Sequence, residues 1–264
     1  MTTQATRTRA DVLPLAKGEH VCKKCNDTGT YRDESLPWEP DANGKYPPQY
    51  ECECKRLKDW WSTFAKNVPP HDQHILMATI APSNKSQLTI ARQEEVIAKI
   101  KSAPTESYAF YGPAGTSKTT FCVALYDLTL WFNPDACNPC LPQFVWRVST
   151  KYLMEEFVAY ATGKEVDGKA AKEPRVNRRA ICKAVQKGYR PCLYLEEIDK
   201  VSYTKFKTDC LFELIDAIYE NHGQIVFNSN MTPAEFEEQF GAKDGPAIMR
   251  RIAETSNVFN FYEK

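Results

Sequence analysis

Hydrophobic and polar positions follow two alternating periods along most of this chain. IARQEEVIAKIKS places Ile90, Val96, Ile97 and Ile100 at helical spacing, and SYAFY after it is a short apolar run of strand length. TTFCVALYDLTLWF predicts a second helix, FVWRV at 144–148 a strand, and TKYLMEEFVAYA a helix. A polar stretch comes next, then VNRRAICKAVQK as helix and CLYLEE as strand. FKTDCLFELIDAIYE predicts a helix and QIVFNSN a strand, and a further helix opens on the capping box that pairs Thr232 with Glu235. A helix around AIMRRIAE and a last strand VFNFY complete the series. Repeated alternation of this kind implies a mainly parallel sheet covered by helices on both faces, a three-layer α/β sandwich. Upstream of residue 90 the pattern differs: residues 1–19 read as a basic arm, 20–68 as a small module, and PPHDQH at 69–74 as a linker into the main domain of 69–264.

The junction of SYAFY with the following helix carries the first chemistry. Residues 112–120, Gly112, Pro113, Ala114, Gly115, Thr116, Ser117, Lys118, Thr119 and Thr120, nearly match a phosphate-binding loop, except that Ser117 stands where a second Gly is usual. Inward-pointing backbone N–H groups closed by a helix N-terminus meet phosphate with fixed partial positive charge. In that arrangement Lys118 reaches the β and γ phosphates of a nucleotide and the Thr119 hydroxyl ligates Mg2+. Ser117 is small enough to be tolerated, with some loss of affinity expected.

Hydrolysis needs acids on an adjacent strand. In CLYLEEID an apolar run leads to Glu196, suited to magnesium, and Glu197, suited to polarising the attacking water, with Asp199 in reserve. The alternative for such a pair is a solvated loop start. The next strand ends in Asn228, Ser229 and Asn230, polar groups at the sheet edge that would face the γ-phosphate. Asn-Lys-x-Asp, the usual guanine-recognition pattern, is absent from the sequence, which favours ATP.

Composition narrows the class. At 264 residues, 42% hydrophobic, the chain has room for one substantial core and an appendage. Neither a signal-peptide core nor an apolar run of membrane-spanning length occurs, so a cytoplasmic protein is expected, and its ten cysteines are thiols or metal ligands rather than disulfides. Cys22-x-x-Cys25 and Cys52-x-Cys54 form two close pairs suited to tetrahedral Zn2+, the alternative being reduced thiols on a loose loop. His20 could replace one thiol. Cys137 and Cys140 form a weaker pair without a matching partner.

Charges balance at 34 basic against 34 acidic, so affinity for nucleic acid must come from local clustering. Between Gly163 and Arg190 stand nine basic and three acidic residues. Arg175, Arg178, Arg179, Lys183, Lys187 and Arg190 line a predicted helical stretch, with Tyr189 available for base stacking. A solvated helix face is the competing reading.

Together these motifs resemble the DnaC/IstB-like branch of the AAA+ ATPases, most closely helicase loaders of the DnaC and DnaI type. The resemblance rests on CKKCNDTGTY with CECKR as zinc module, YGPAGTSKT as Walker A, LYLEEID as Walker B, FNSN as sensor 1 and AIMRRIAE as arginine-finger segment. It implies a P-loop AAA+ domain without a C-terminal lid, since only 13 residues follow Arg251. It assigns Lys118 and Thr119 to Walker A, Glu196 and Glu197 to Walker B, and Asn230 to sensor 1. Arg251 becomes the finger that reaches a neighbour's ATP, with Arg250 as second candidate. It further implies ATP, Mg2+ and Zn2+ as ligands, self-association into a ring or spiral, and a replicative helicase and single-stranded DNA as partners. The basic helix would face the channel. Glu196 in place of the usual Asp, and Ser117, imply slow hydrolysis. Two other readings share these residues: an IstB-like transposition helper, which the zinc module disfavours, and a zinc-bearing DNA adapter with a static nucleotide.

Overall fold

In the computed structural model, residues 22, 30–31, 50–77, 80–138, 141, 143–166 and 169–262 are described. A two-residue ladder of β1 (Thr30–Tyr31) and β2 (Tyr50–Glu51) leads into helix α1 (Glu53–Asn67). The main unit then runs α2 (Ile90–Ser102), β3 (Ser107–Tyr111), α3 (Lys118–Phe132), β4 (Val145–Ser149) and α4 (Thr150–Thr162). A small hairpin, β5 (Glu165–Val166) and β6 (Lys169–Ala170), occupies the polar stretch. After it come α5 (Arg178–Gln186), β7 (Cys192–Glu196), α6 (Lys205–Glu220), β8 (Gln224–Ser229), α7 (Pro233–Gln239), α8 (Gly241–Thr255) and β9 (Ser256–Asn260).

Five strands form one sheet in the order β4-β7-β8-β3-β9, and every pair in it is parallel. Parallel strands need crossovers, and helices supply them on both faces. Strand alternation sorts the side chains. Phe110 and Phe259 pack on one face against Phe121 of α3, whereas Tyr111 and Phe227 pack on the other against Phe236 of α7. Helix α3 is buried almost throughout from Phe121 to Leu130, because it lies under the sheet with α1 and α2 against it. The expected three-layer α/β sandwich is therefore present.

Helix α1 was not anticipated. Leu57, Trp60, Phe64 and Val68 join the main core, Trp60 meeting Trp131 edge-on at 5.7 Å and Phe64 stacking on Tyr126 at 6.3 Å. The stretch that the sequence assigned to the N-terminal module up to residue 68 thus packs on the main core from residue 53 onward.

Candidate functional site

Strands β3, β8 and β7 lie side by side, so the loops at their C-terminal ends share one edge of the sheet. The 112–117 loop leaves β3 here. Gly112 is pinned to the neighbouring strand by its N–H donating to Ser229 O at 3.1 Å, and a Cβ there would come within 2.7 Å of Phe261. Thr116 Oγ1 donates back to Pro113 O at 2.8 Å, which curls the loop. Ser117 takes φ 60°, ψ 16°, the left-handed conformation that a glycine would adopt without steric cost. The loop keeps its shape with serine in it, at the expense of local strain.

Lys118 opens α3, and its Nζ donates to Gly112 O at 2.6 Å and Pro113 O at 2.7 Å. Burial pulls its pKa below the ordinary lysine range, opposed by the charge of Asp199. An ammonium held in the concave side of an N–H-rich loop is the arrangement that suits a polyphosphate.

Loop and strand ends border a cavity of about 660 Å³, within the range of small-ligand sites. Ala114 to Thr120, Glu197, Lys200, Asn228 and Asn230 are among its lining residues. Apolar Ile75, Leu76, Ile80 and Ile97 line part of the rest. Polar His74, Ser83, Lys85, Ser86 and Gln93 line it as well, so the cavity offers both polar and apolar groups to a ligand.

Glu197 also has left-handed backbone, φ 51° and ψ 52°, and its N–H donates to Asn228 Oδ1 at 2.6 Å. Strained non-glycine residues concentrate at functional sites, where surrounding bonds fix them. Asn228, rather than Asn230, holds the Glu197 backbone; Asn230 donates its N–H and its amide to Asp199, both at 3.0 Å. Both asparagines border the cavity. The Glu197 carboxylate pairs with Lys200, one turn on.

Glu196, expected at the magnesium, is instead bound by Arg147 of β4, whose guanidinium also donates to Asn67 O at the end of α1. Burial raises the Glu196 carboxyl above its usual range while Arg147 pulls it back. Glu196 is not among the cavity-lining residues. A buried arginine opposite a part-buried acid satisfies both, and nothing in CLYLEEID announces a partner 49 positions upstream.

Arg251 is engaged within the chain. It donates from Nε to Asp216 at 3.0 Å and lies over the Tyr219 ring at 4.1 Å, while the Arg250 side chain is 65% exposed. Similar corrections apply to the basic stretch. Tyr189 stacks flat on Phe144 at 4.5 Å and is not free for a base, and Arg190 donates to the carbonyls of Thr105 and His222. Arg178 pairs with Glu220 and Asp216, and Arg175 with Glu156. Arg179, Lys183 and Lys187 remain exposed, at intervals of four residues on one side of α5.

Near the start of α1, Cys22, Cys52 and Cys54 are buried with their ligand atoms within 4.8 Å of one another. Cys22 Sγ and Cys52 Sγ are 3.7 Å apart. Thiolates about 2.3 Å from a tetrahedral zinc lie about 3.8 Å from each other, so this donor set fits the ion. Cys25 and His20 fall outside the described residues, as does Cys140 beside the buried Cys137. No described helix is long and apolar enough to cross a membrane.

No protein-family model matches the chain, and a search of curated proteins finds no match. Solved structures are similar in fold. DnaI aligns at 13% identity over 73% of this chain and 94% of its own, with a TM-score of 0.51. The DnaC helicase loader aligns at 15% identity over 72% of this chain and 98% of its own, TM-score 0.49. Domain III of the Thermotoga maritima replication initiation protein DnaA aligns at 12% over 72% and 67%, TM-score 0.48. With its five-stranded parallel sheet, the chain shares the fold of DnaI.

Proposed function

We propose that the chain is a Mg2+-dependent ATPase that loads a replicative helicase onto single-stranded DNA. One observation carries the nucleotide part: the loop around Lys118, the strained Glu197 and its tether Asn228 meet at a single cavity. Phosphates would lie along residues 112–119 under Lys118, and the base against Ile75, Leu76 and Ile80. Mg2+, when bound, would be held by the Thr119 hydroxyl, with Glu196 as the acid available on β7, and would supply charge that offsets the β and γ phosphates. Glu197 would orient and deprotonate the attacking water, and Asn228 would fix its backbone for that task. Holding Glu196 in the Arg147 pair favours slow turnover.

Support for the loader role comes from the ordered motifs, the DnaI-like fold and the cysteine cluster that heads α1. In a ring or spiral, exposed Arg250 is better placed than Arg251 to reach a neighbour's ATP, and Arg251 would hold α8 on α6. Arg179, Lys183 and Lys187 would meet DNA phosphates, and Cys22, Cys25, Cys52 and Cys54 would hold Zn2+ in the helicase-binding module of a cytoplasmic protein. The test is ATP turnover with and without single-stranded DNA, for the native chain and Glu197→Gln. DNA-stimulated turnover lost by at least a hundredfold in the variant supports the proposal. Equal turnover in both favours the static adapter. Co-purification with a transposase rather than a helicase would point to the IstB-like alternative.

A further inference from the structure

Two buried polar side chains do not take part in the chemistry just described: Gln93 lines the cavity and binds Ser83 of its wall, and Asp127 binds Met77, which follows the lining residue Leu76. Asp127, in the middle of α3, is 0% exposed, and its Oδ2 accepts the Met77 N–H at 2.9 Å. Gln93 of α2 is 2% exposed; its Oε1 accepts the Ser83 N–H at 2.9 Å, and its Nε2 donates to Ser83 O at 3.1 Å and Leu88 O at 3.0 Å. Sequestering a carboxylate and an amide in an apolar core is costly unless each is well bonded, so these positions hold main chain that would otherwise be loose. The main chain they hold belongs to irregular segments. His74–Leu76 and Ile80–Ser83 contribute to the cavity wall, and Gln87 ends the stretch by donating its N–H to Gly115 O at 2.9 Å in the phosphate loop.

The anchors are arranged unevenly. The loop of 112–117 is built on β3 and α3 and fixed by strand pairing, whereas the strap, which lines the cavity with both apolar and polar groups, has little regular structure of its own. Asp127 rides on the helix that Lys118 opens, so the strap is registered against the phosphate loop through one rigid element.

We propose that Asp127 and Gln93 are positioning residues for base recognition: they hold the strap of His74–Met77 and Ile80–Leu88 at the distance from Lys118 that a purine nucleoside triphosphate spans. This rests on the nucleotide reading above and assigns the part of the cavity that discriminates a nucleotide from bare polyphosphate. Asp127 is not among the cavity-lining residues, whereas Gln93 lines the cavity and holds Ser83 from within it.

The test measures the affinity of the full chain, with Mg2+, for ATP and for inorganic tripolyphosphate. In Gln93→Leu and Asp127→Ala the dissociation constant for ATP is expected to rise at least tenfold, while that for tripolyphosphate stays within twofold of wild type. Gln93→Glu guards against misfolding, since it keeps volume and the acceptor for Ser83 N–H but sets a carboxylate oxygen against two carbonyls. It should show the same split at smaller size. Equal weakening of both ligands, or of neither, overturns the assignment and leaves the nucleotide site standing. Wild-type protein that binds tripolyphosphate as tightly as ATP also overturns it, and wild-type protein that binds neither ligand defeats the nucleotide reading as well.

Discussion

Replacing Ser117 with glycine should stabilise this protein, contrary to the usual effect of adding a glycine. Ser117 occupies φ 60°, ψ 16°, where the Cβ of an L-residue crowds the following carbonyl at a cost of about 1–2 kcal/mol. Glycine removes that strain but gives the unfolded chain more freedom, which costs about 0.4–1 kcal/mol. Among the described residues no hydrogen bond of the Ser117 side chain is lost in the exchange. The balance is a gain of about 0.5–1 kcal/mol, or roughly 1–4 °C in Tm for a chain of this size. Ser117→Ala is the control, because it keeps the Cβ and therefore the strain; its Tm should stay near wild type. Thermal unfolding of the three proteins, followed by far-UV circular dichroism, reads the difference. A glycine variant no more stable than the alanine variant would refute the strain argument, and with it the view that serine is a tolerated but imperfect resident of the loop.

Three further outcomes follow from the same geometry. Arg147→Met should cost about 3–5 kcal/mol in denaturant unfolding, since it leaves the Glu196 carboxylate and Asn67 O without their partner in a buried setting; a loss below about 1 kcal/mol contradicts the role of that pair. Native mass spectrometry should find one zinc per chain, released in Cys52→Ser, and metal-free wild-type protein would contradict the cysteine site. Neutralising Arg179, Lys183 and Lys187 together should reduce the log–log salt slope of single-stranded DNA binding by about 2, at about 0.7 per phosphate contact; an unchanged slope places DNA elsewhere.

The parallel sheet was legible because buried strands read as apolar runs, and alternating helices leave their period between them, as in SYAFY, the loop and α3. The turn of residues 112–117 between β3 and α3 was legible for the same local reason. Helix α1 was missed although Leu57, Trp60, Trp61 and Phe64 carry helical spacing, because the neighbouring cysteines drew that stretch into the metal module. What stayed hidden was pairing between distant positions. Arg147 reads as one charge inside a strand until β4 and β7 lie in register, when it meets Glu196. Tyr189 and Arg190 looked available for nucleic acid because a sequence shows charge and aromaticity but not whether Phe144 or a carbonyl already occupies them. Asp127 and Gln93 gave no local hint at all, since a polar residue inside an apolar helix identifies its partner only after folding.

The account depends most on a triphosphate lying beneath Lys118. Calorimetric titration of the full chain with ATP and Mg2+ should show saturable binding, retained in Glu197→Gln and weakened at least a hundredfold in Lys118→Ala. Binding that is absent in wild type, or equally tight without the Lys118 ammonium, would contradict it.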